Sequence, residues 1–124
     1  MSAAPPAPAP WPSELKLNAA QDVLTVRFDN GESFDLTAEY LRVESPSAEV
    51  QGHGPIERNF VPAKRHVKIK AIEPVGHYAV RIIFDDGHDS GLFTWAYLHE
   101  LGKSHCEKWP AYLEGLAALG LKRE

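Results

Sequence analysis

Cysteine occurs once in the 124 residues, at Cys106. A lone thiol closes no intramolecular disulfide and cannot by itself hold a zinc ion, so neither a disulfide-stapled fold nor a cysteine-built zinc site is expected. Apolar runs are short as well. None approaches the ~18 residues of a membrane span, and the opening MSAAPPAPAPWP lacks the basic start and apolar run of a signal peptide. A cytoplasmic protein with no membrane partner is the expectation. The chain also lacks the strand-GxGxxG-helix pattern, the GxxxxGK[ST] phosphate loop, a GxSxG elbow, an HxxxH pair and a CxxC pair. At roughly 100–200 residues per domain the length supports one modest core, too little for a TIM barrel or a two-half Rossmann enzyme. A binding or accessory module, not an enzyme, fits this size.

Five of the ten prolines fall in residues 1–12, alternating with alanine. That composition predicts an extended tail over 1–12, with a single domain over 13–124. From Leu15 onward apolar residues recur with period two. Val23, Val26 and Phe28 lie in a strand that runs into Asp29-Asn30-Gly31, a hairpin turn signal because its central positions favour positive φ. Residues 32–36 form the return strand, and the Thr37 hydroxyl caps a short helix over 38–42. The same order recurs about 56 residues later. A strand over 78–84 meets Asp85-Asp86-Gly87, a return strand covers 88–93, and Thr94 caps a helix through Trp95, Tyr97, Leu98 and Leu101. Neither unit alone buries enough apolar surface, so the two are expected to share one core. The fold class is α+β: a small, mainly antiparallel sheet from two hairpin–helix units, with the short helices and a C-terminal helix packed on it. For that last helix, Pro110 suits the first turn, Tyr112, Leu113, Leu116, Ala117 and Leu119 make the stripe, and Gly120 is the stop.

Between the units, residues 43–65 hold Pro46, Pro55, Pro62, Gly52 and Gly54 without sustained periodicity. A loop of that length inside a small domain points to a functional segment or to disorder. Next to it, Val67, Ile69 and Ala71 alternate with His66, Lys68 and Lys70, a strand with one buried and one basic face. Arg58, Lys64, Arg65, Lys68 and Lys70 concentrate positive charge in a stretch free of acids, while the whole chain carries net charge -4. An anionic partner could dock there. With Phe60 the only interleaved aromatic and no helix-turn-helix pattern, nucleic acid is the weaker candidate and a solvated or protein-binding face the stronger.

Tyr40-Leu41-Arg42-Val43-Glu44-Ser45-Pro46-Ser47-Ala48-Glu49-Val50 is followed by Gly52-His53-Gly54, then by Phe84-Asp85-Asp86-Gly87-His88 and Trp95-Ala96-Tyr97-Leu98. These motifs resemble the DUF971 family, the stand-alone form of the N-terminal domain of γ-butyrobetaine hydroxylase, over roughly residues 15–101. In the hydroxylase, three cysteines of a WLRDNCxCxxC segment and a later histidine bind one structural zinc. The resemblance puts those cysteines at Ser45, Ser47 and Val50 and the histidine at His88. With three of the four ligands absent, that zinc site is not expected here. The resemblance therefore implies the fold and a docking role without hydroxylation, because the oxygenase domain is absent. Related domains fused to P-loop iron–sulfur carriers make an accessory role in iron or cluster handling a second implication.

Two readings stay open. The first is a non-enzymatic interaction module with an unknown protein partner, using the loop 43–65 and the basic residues beside it. The second is an accessory protein in which Glu49, His53 and His88 converge as a carboxylate and two imidazoles suited to iron or zinc. Anion or nucleic-acid binding through the basic segment 58–70 is a weaker third.

Overall fold

The computed structural model describes residues 11–46, 62–89 and 91–124. Among the described residues six strands form two three-stranded antiparallel sheets, ordered β1-β2-β3 and β4-β5-β6. The first contains β1 (Pro12–Leu17), β2 (Val23–Phe28) and β3 (Ser33–Thr37), and leads into helix α1 (Ala38–Val43). The second contains β4 (Ile69–Val75), β5 (Ala79–Phe84) and β6 (Leu92–Thr94), followed by α2 (Trp95–Lys103) and α3 (His105–Ala118). The fold is thus α+β, with two small sheets in place of the expected one. No helix among the described residues is long and apolar enough to cross a membrane.

The repeat visible in the sequence is a repeat in space, and it is longer than two strands and a helix. Each unit opens with an edge strand that carries an irregularity at the same place, between Pro12 and Glu14 in one and between Ile69 and Ala71 in the other. Both turn glycines, Gly31 and Gly87, sit at φ 91°, a conformation that costs any side chain steric strain. Thr37 and Thr94 are extended and accept hydrogen bonds from Tyr40 N–H and Tyr97 N–H, each at 3.1 Å, satisfying a donor that the first helical turn leaves open.

One core joins the units. Leu24, Val26, Phe28 and Leu36 of the first sheet pack with Ile69, Val80, Ile82, Phe84 and Phe93 of the second, together with Leu41, Leu98 and Leu101 from the helices. The tyrosines interlock the halves. Tyr40 Oη donates to Leu101 O at 2.7 Å, and Tyr97 Oη donates to Glu44 O at 2.5 Å, so each hydroxyl reaches a carbonyl on the other unit's helix or its cap. Both bonds satisfy carbonyls near helix ends that would otherwise be costly to bury.

The ends of the chain differ from the expectation. β1 begins at Pro12, the last residue of the expected tail, and the preceding Trp11 C=O accepts from Asp29 N–H at 2.8 Å. Helix α3 begins at His105, which places Pro110 inside it and not in its first turn. The earlier start is favoured by Ser104 C=O, which accepts from Glu107 and Lys108 N–H, and by an aromatic row in which His105 stacks on Trp109 and Trp109 on Tyr112. Tyr112 and Leu116 are buried against Val43, whereas Leu119 is exposed. Gly120, at φ 69°, ends the helix as expected. Arg123 then returns to α1, where its guanidinium pairs in a fork with the Glu39 carboxylate at 2.7 and 2.9 Å and lies 5.3 Å over the Trp109 ring.

Candidate functional site

The residues of interest collect where the β5–β6 turn of the second unit meets the end of α1 from the first. Gly87 turns the chain so that His88 points inward, and its imidazole is buried. Backbone bonds fix the turn: Phe84 N–H donates to His88 C=O at 3.0 Å, and His88 N–H donates to Asp86 Oδ1 at 3.1 Å. His88 Nε2 lies 2.9 Å from Ser45 Oγ, and Ser45 is fully buried at the end of α1. Asp86 Oδ2 accepts from Arg42 Nε at 2.8 Å and from Lys64 Nζ at 2.6 Å. Burial raises the Asp86 pKa, but the hydrogen bonds from Lys64, His88 N–H and Arg42 outweigh it and hold the carboxyl at about 2. Arg42 Nη1 is buried and has no partner among the described residues.

The equivalent turn of the first unit is closed in the same manner by α2 of the second. Glu32 takes the place of His88, accepting from His99 Nε2 at 2.7 Å and from Lys103 Nζ at 3.2 Å. The hydrogen bond from His99, with those from Asn30 and Lys103, holds Glu32 at about 2. An open cavity of 280 Å³ lies at this turn, lined by Ser13, Arg27, Phe28, Gly31, Glu32 and Ser33. It falls just short of the ~300–1,000 Å³ of small-molecule sites.

Of the metal candidates, His88 is in the turn, and Glu49 and His53 lie outside the described residues. Among the described residues no three His, Cys, Asp or Glu side chains gather as a metal site. Of the basic residues, Arg58 also lies outside the described residues. Lys64 is drawn into the Asp86 cluster, and Arg65 pairs with Glu124 at 2.9 Å. Lys68 and Lys70 are exposed and have no ion partner among the described residues. The basic segment is thus partly structural. Sequence reasoning missed Arg42 and Asp86 as a pair, and Glu32 with His99, because both are contacts between the units. The one available signal was the match of Asp29-Asn30-Gly31 with Asp85-Asp86-Gly87, which placed a polar side chain at the same point of both turns.

The family model described as gamma-butyrobetaine hydroxylase-like, N-terminal, matches residues 15–99. The chain belongs to this family. Two structures determined by NMR in solution are similar to it. One is 45% identical with TM-score 0.82, over 99% of this chain and 92% of that one. The other is 47% identical with TM-score 0.80, over 94% and 92%. A crystal structure of a protein of unknown function from the DUF971 family of Acidithiobacillus ferrooxidans is 40% identical with TM-score 0.61, over 73% of this chain and 91% of that one. No protein of curated function matches the chain.

The zinc that the family resemblance implies can be tested against the side chains present. Of the four positions, Ser45 and His88 are described, and they do come together, as the resemblance requires. They meet as a hydrogen bond, with the imidazole nitrogen facing a hydroxyl. Serine is a poor zinc donor near neutral pH, and Val50 offers no donor atom. The residues of this chain do not fit the family's zinc.

Proposed function

We propose that this chain is a non-catalytic protein-interaction module that docks its partner on the outer face of the second sheet. What supports the reading is one contrast between two equivalent surfaces. The outer face of the first sheet is polar: Glu14 pairs with Arg27, and Thr25 hydrogen-bonds Asp35 across neighbouring strands. At the places equivalent to Glu14, Arg27 and Asp35, the second sheet carries Ala71, Ile83 and Leu92. The place of Thr25 is taken by Arg81, which pairs with Glu73, so this face sets apolar side chains around one ion pair. Leu92 is 41% exposed, and Tyr78, at the turn leading into β5, is 54% exposed. Ions at these positions of the first sheet show that the fold tolerates polar residues there, so apolar ones on the second sheet are not needed for folding. Lys68, just before β4, and Lys70, at its irregularity, are exposed beside this face, which makes the fitting partner a protein surface of apolar and acidic side chains.

Photo-crosslinking with a benzophenone amino acid at position 83, and separately at position 27, tests the reading. A discrete adduct from position 83 and none from position 27 supports it. The same adducts from both positions, or none from 83, would overturn it. As a non-catalytic module, the chain forms no succinate from 2-oxoglutarate with iron and ascorbate above a protein-free control.

A further inference from the structure

The buried Ser45–His88 pair has a role that is independent of where a partner docks. We infer that this pair is a metal-free latch, occupying the place of the family's zinc and holding the second turn to the end of α1 without any ion.

Three observations carry this. The first is the contact itself, with Ser45 fully buried, His88 nearly so and Oγ to Nε2 at 2.9 Å. The second is how closely the serine is packed against Gly91. A Cβ built on Gly91 would lie 2.4 Å from Ser45 Oγ and 3.1 Å from the Phe93 ring, so the absence of a side chain at position 91 makes the room that the hydroxyl fills. The third is an internal control. At the equivalent turn, Glu32 is tied to α2 by His99 and Lys103, which shows that a turn in this position can be closed from the opposite unit by side-chain bonds alone. The second turn adds Arg42 and Lys64 on Asp86, so it is anchored by ion pairs as well as by the Ser45–His88 contact.

The test uses the full chain, purified without a histidine tag. Thermal unfolding is recorded with EDTA and with equimolar Zn(II), while nitrogen chemical shifts of the His88 ring report what Nε2 faces. The latch predicts a melting temperature unchanged within about 1 °C by either addition and a His88 Nε2 signal that zinc does not move. Ser45→Ala should shift that signal and lower the urea midpoint. A melting temperature lowered by more than about 5 °C with EDTA, or Nε2 shifted on stoichiometric zinc uptake, would overturn the inference, since a metal bound only by the folded chain must stabilise it. An unchanged Nε2 signal in folded Ser45→Ala would overturn it too. If that variant does not fold, the chelator and zinc measurements on the unmodified chain still decide.

Discussion

The two turn–helix junctions are built on one plan and packed in opposite senses. In the first, Phe34 of β3 lies against Gly102 of α2, and a Cβ on Gly102 would sit 2.4 Å from the ring. In the second, the place of Phe34 is taken by Gly91 and the place of Gly102 by Ser45, with the close approach again at 2.4 Å. A large residue on the strand demands glycine on the helix, and glycine on the strand admits a side chain after the helix. This exchange explains the polar chemistry. Where the helix position is glycine, the turn residue Glu32 must reach farther along α2, to His99 and Lys103. Where it is serine, His88 meets it directly. Duplicated geometry therefore does not impose duplicated chemistry.

The comparison is broken most severely by filling its glycines. Gly102→Ala and Gly91→Ala should each destabilise the chain by about 1–3 kcal/mol, because an added Cβ would lie 2.4 Å from the Phe34 ring or from the Ser45 hydroxyl and force either to shift. Urea unfolding checks this, and unchanged midpoints would mean that the junctions are loosely packed. A smaller effect is expected from the hydroxyls that cross between units. Tyr40→Phe and Tyr97→Phe should each cost about 1 kcal/mol, since each removes one hydrogen bond and leaves Leu101 O or Glu44 O with one partner fewer. Similar costs would sharpen the symmetry. A loss in one variant and none in the other would show that a single helix carries the closure.

The acid limb of stability provides a third comparison. Glu32 and Asp86 both have folded pKa values depressed to about 2, so their contribution is fully present above the ordinary carboxylate range and is lost as pH falls toward 2. Glu32→Gln and Asp86→Asn should each flatten the fall of melting temperature between about pH 5 and pH 2. A slope equal to that of the unmodified chain in both variants would contradict the account of these ion pairs.

Much of the fold was legible because its signals are local. Alternation, the Asn-Gly and Asp-Gly turns and the two threonine caps involve residues within a few positions of each other, and they led to the right kinds of element. The return strand expected over 88–93, however, is only Leu92–Thr94. The strand expected around Val67, Ile69 and Ala71 is Ile69–Val75, where an irregularity after Ile69 turns Ala71 off the buried face. Pro110 misled because proline is well suited to a first helical turn, while here Ser104 and the aromatic row start the helix earlier. The candidate site was legible only in part. His88 and Ser45 were found through the family resemblance, but Arg42 with Asp86, and Glu32 with His99, are brought together by the packing of one unit's helix on the other unit's turn. No spacing along the chain encodes such a contact. Likewise, Lys64 and Arg65 looked like free positive charge until folding placed Asp86 and Glu124 beside them.

The central claim is that the two outer sheet faces, equivalent in the fold, differ in function. Moving the first face's residues onto the second tests it most directly, through the double variant Ile83→Arg with Leu92→Asp. Both positions are at least partly exposed, so stability should change by no more than about 0.5 kcal/mol per site. The account predicts an unaltered fold by NMR and at least a tenfold loss of affinity for the partner captured from position 83. Undiminished affinity in the folded variant would contradict it.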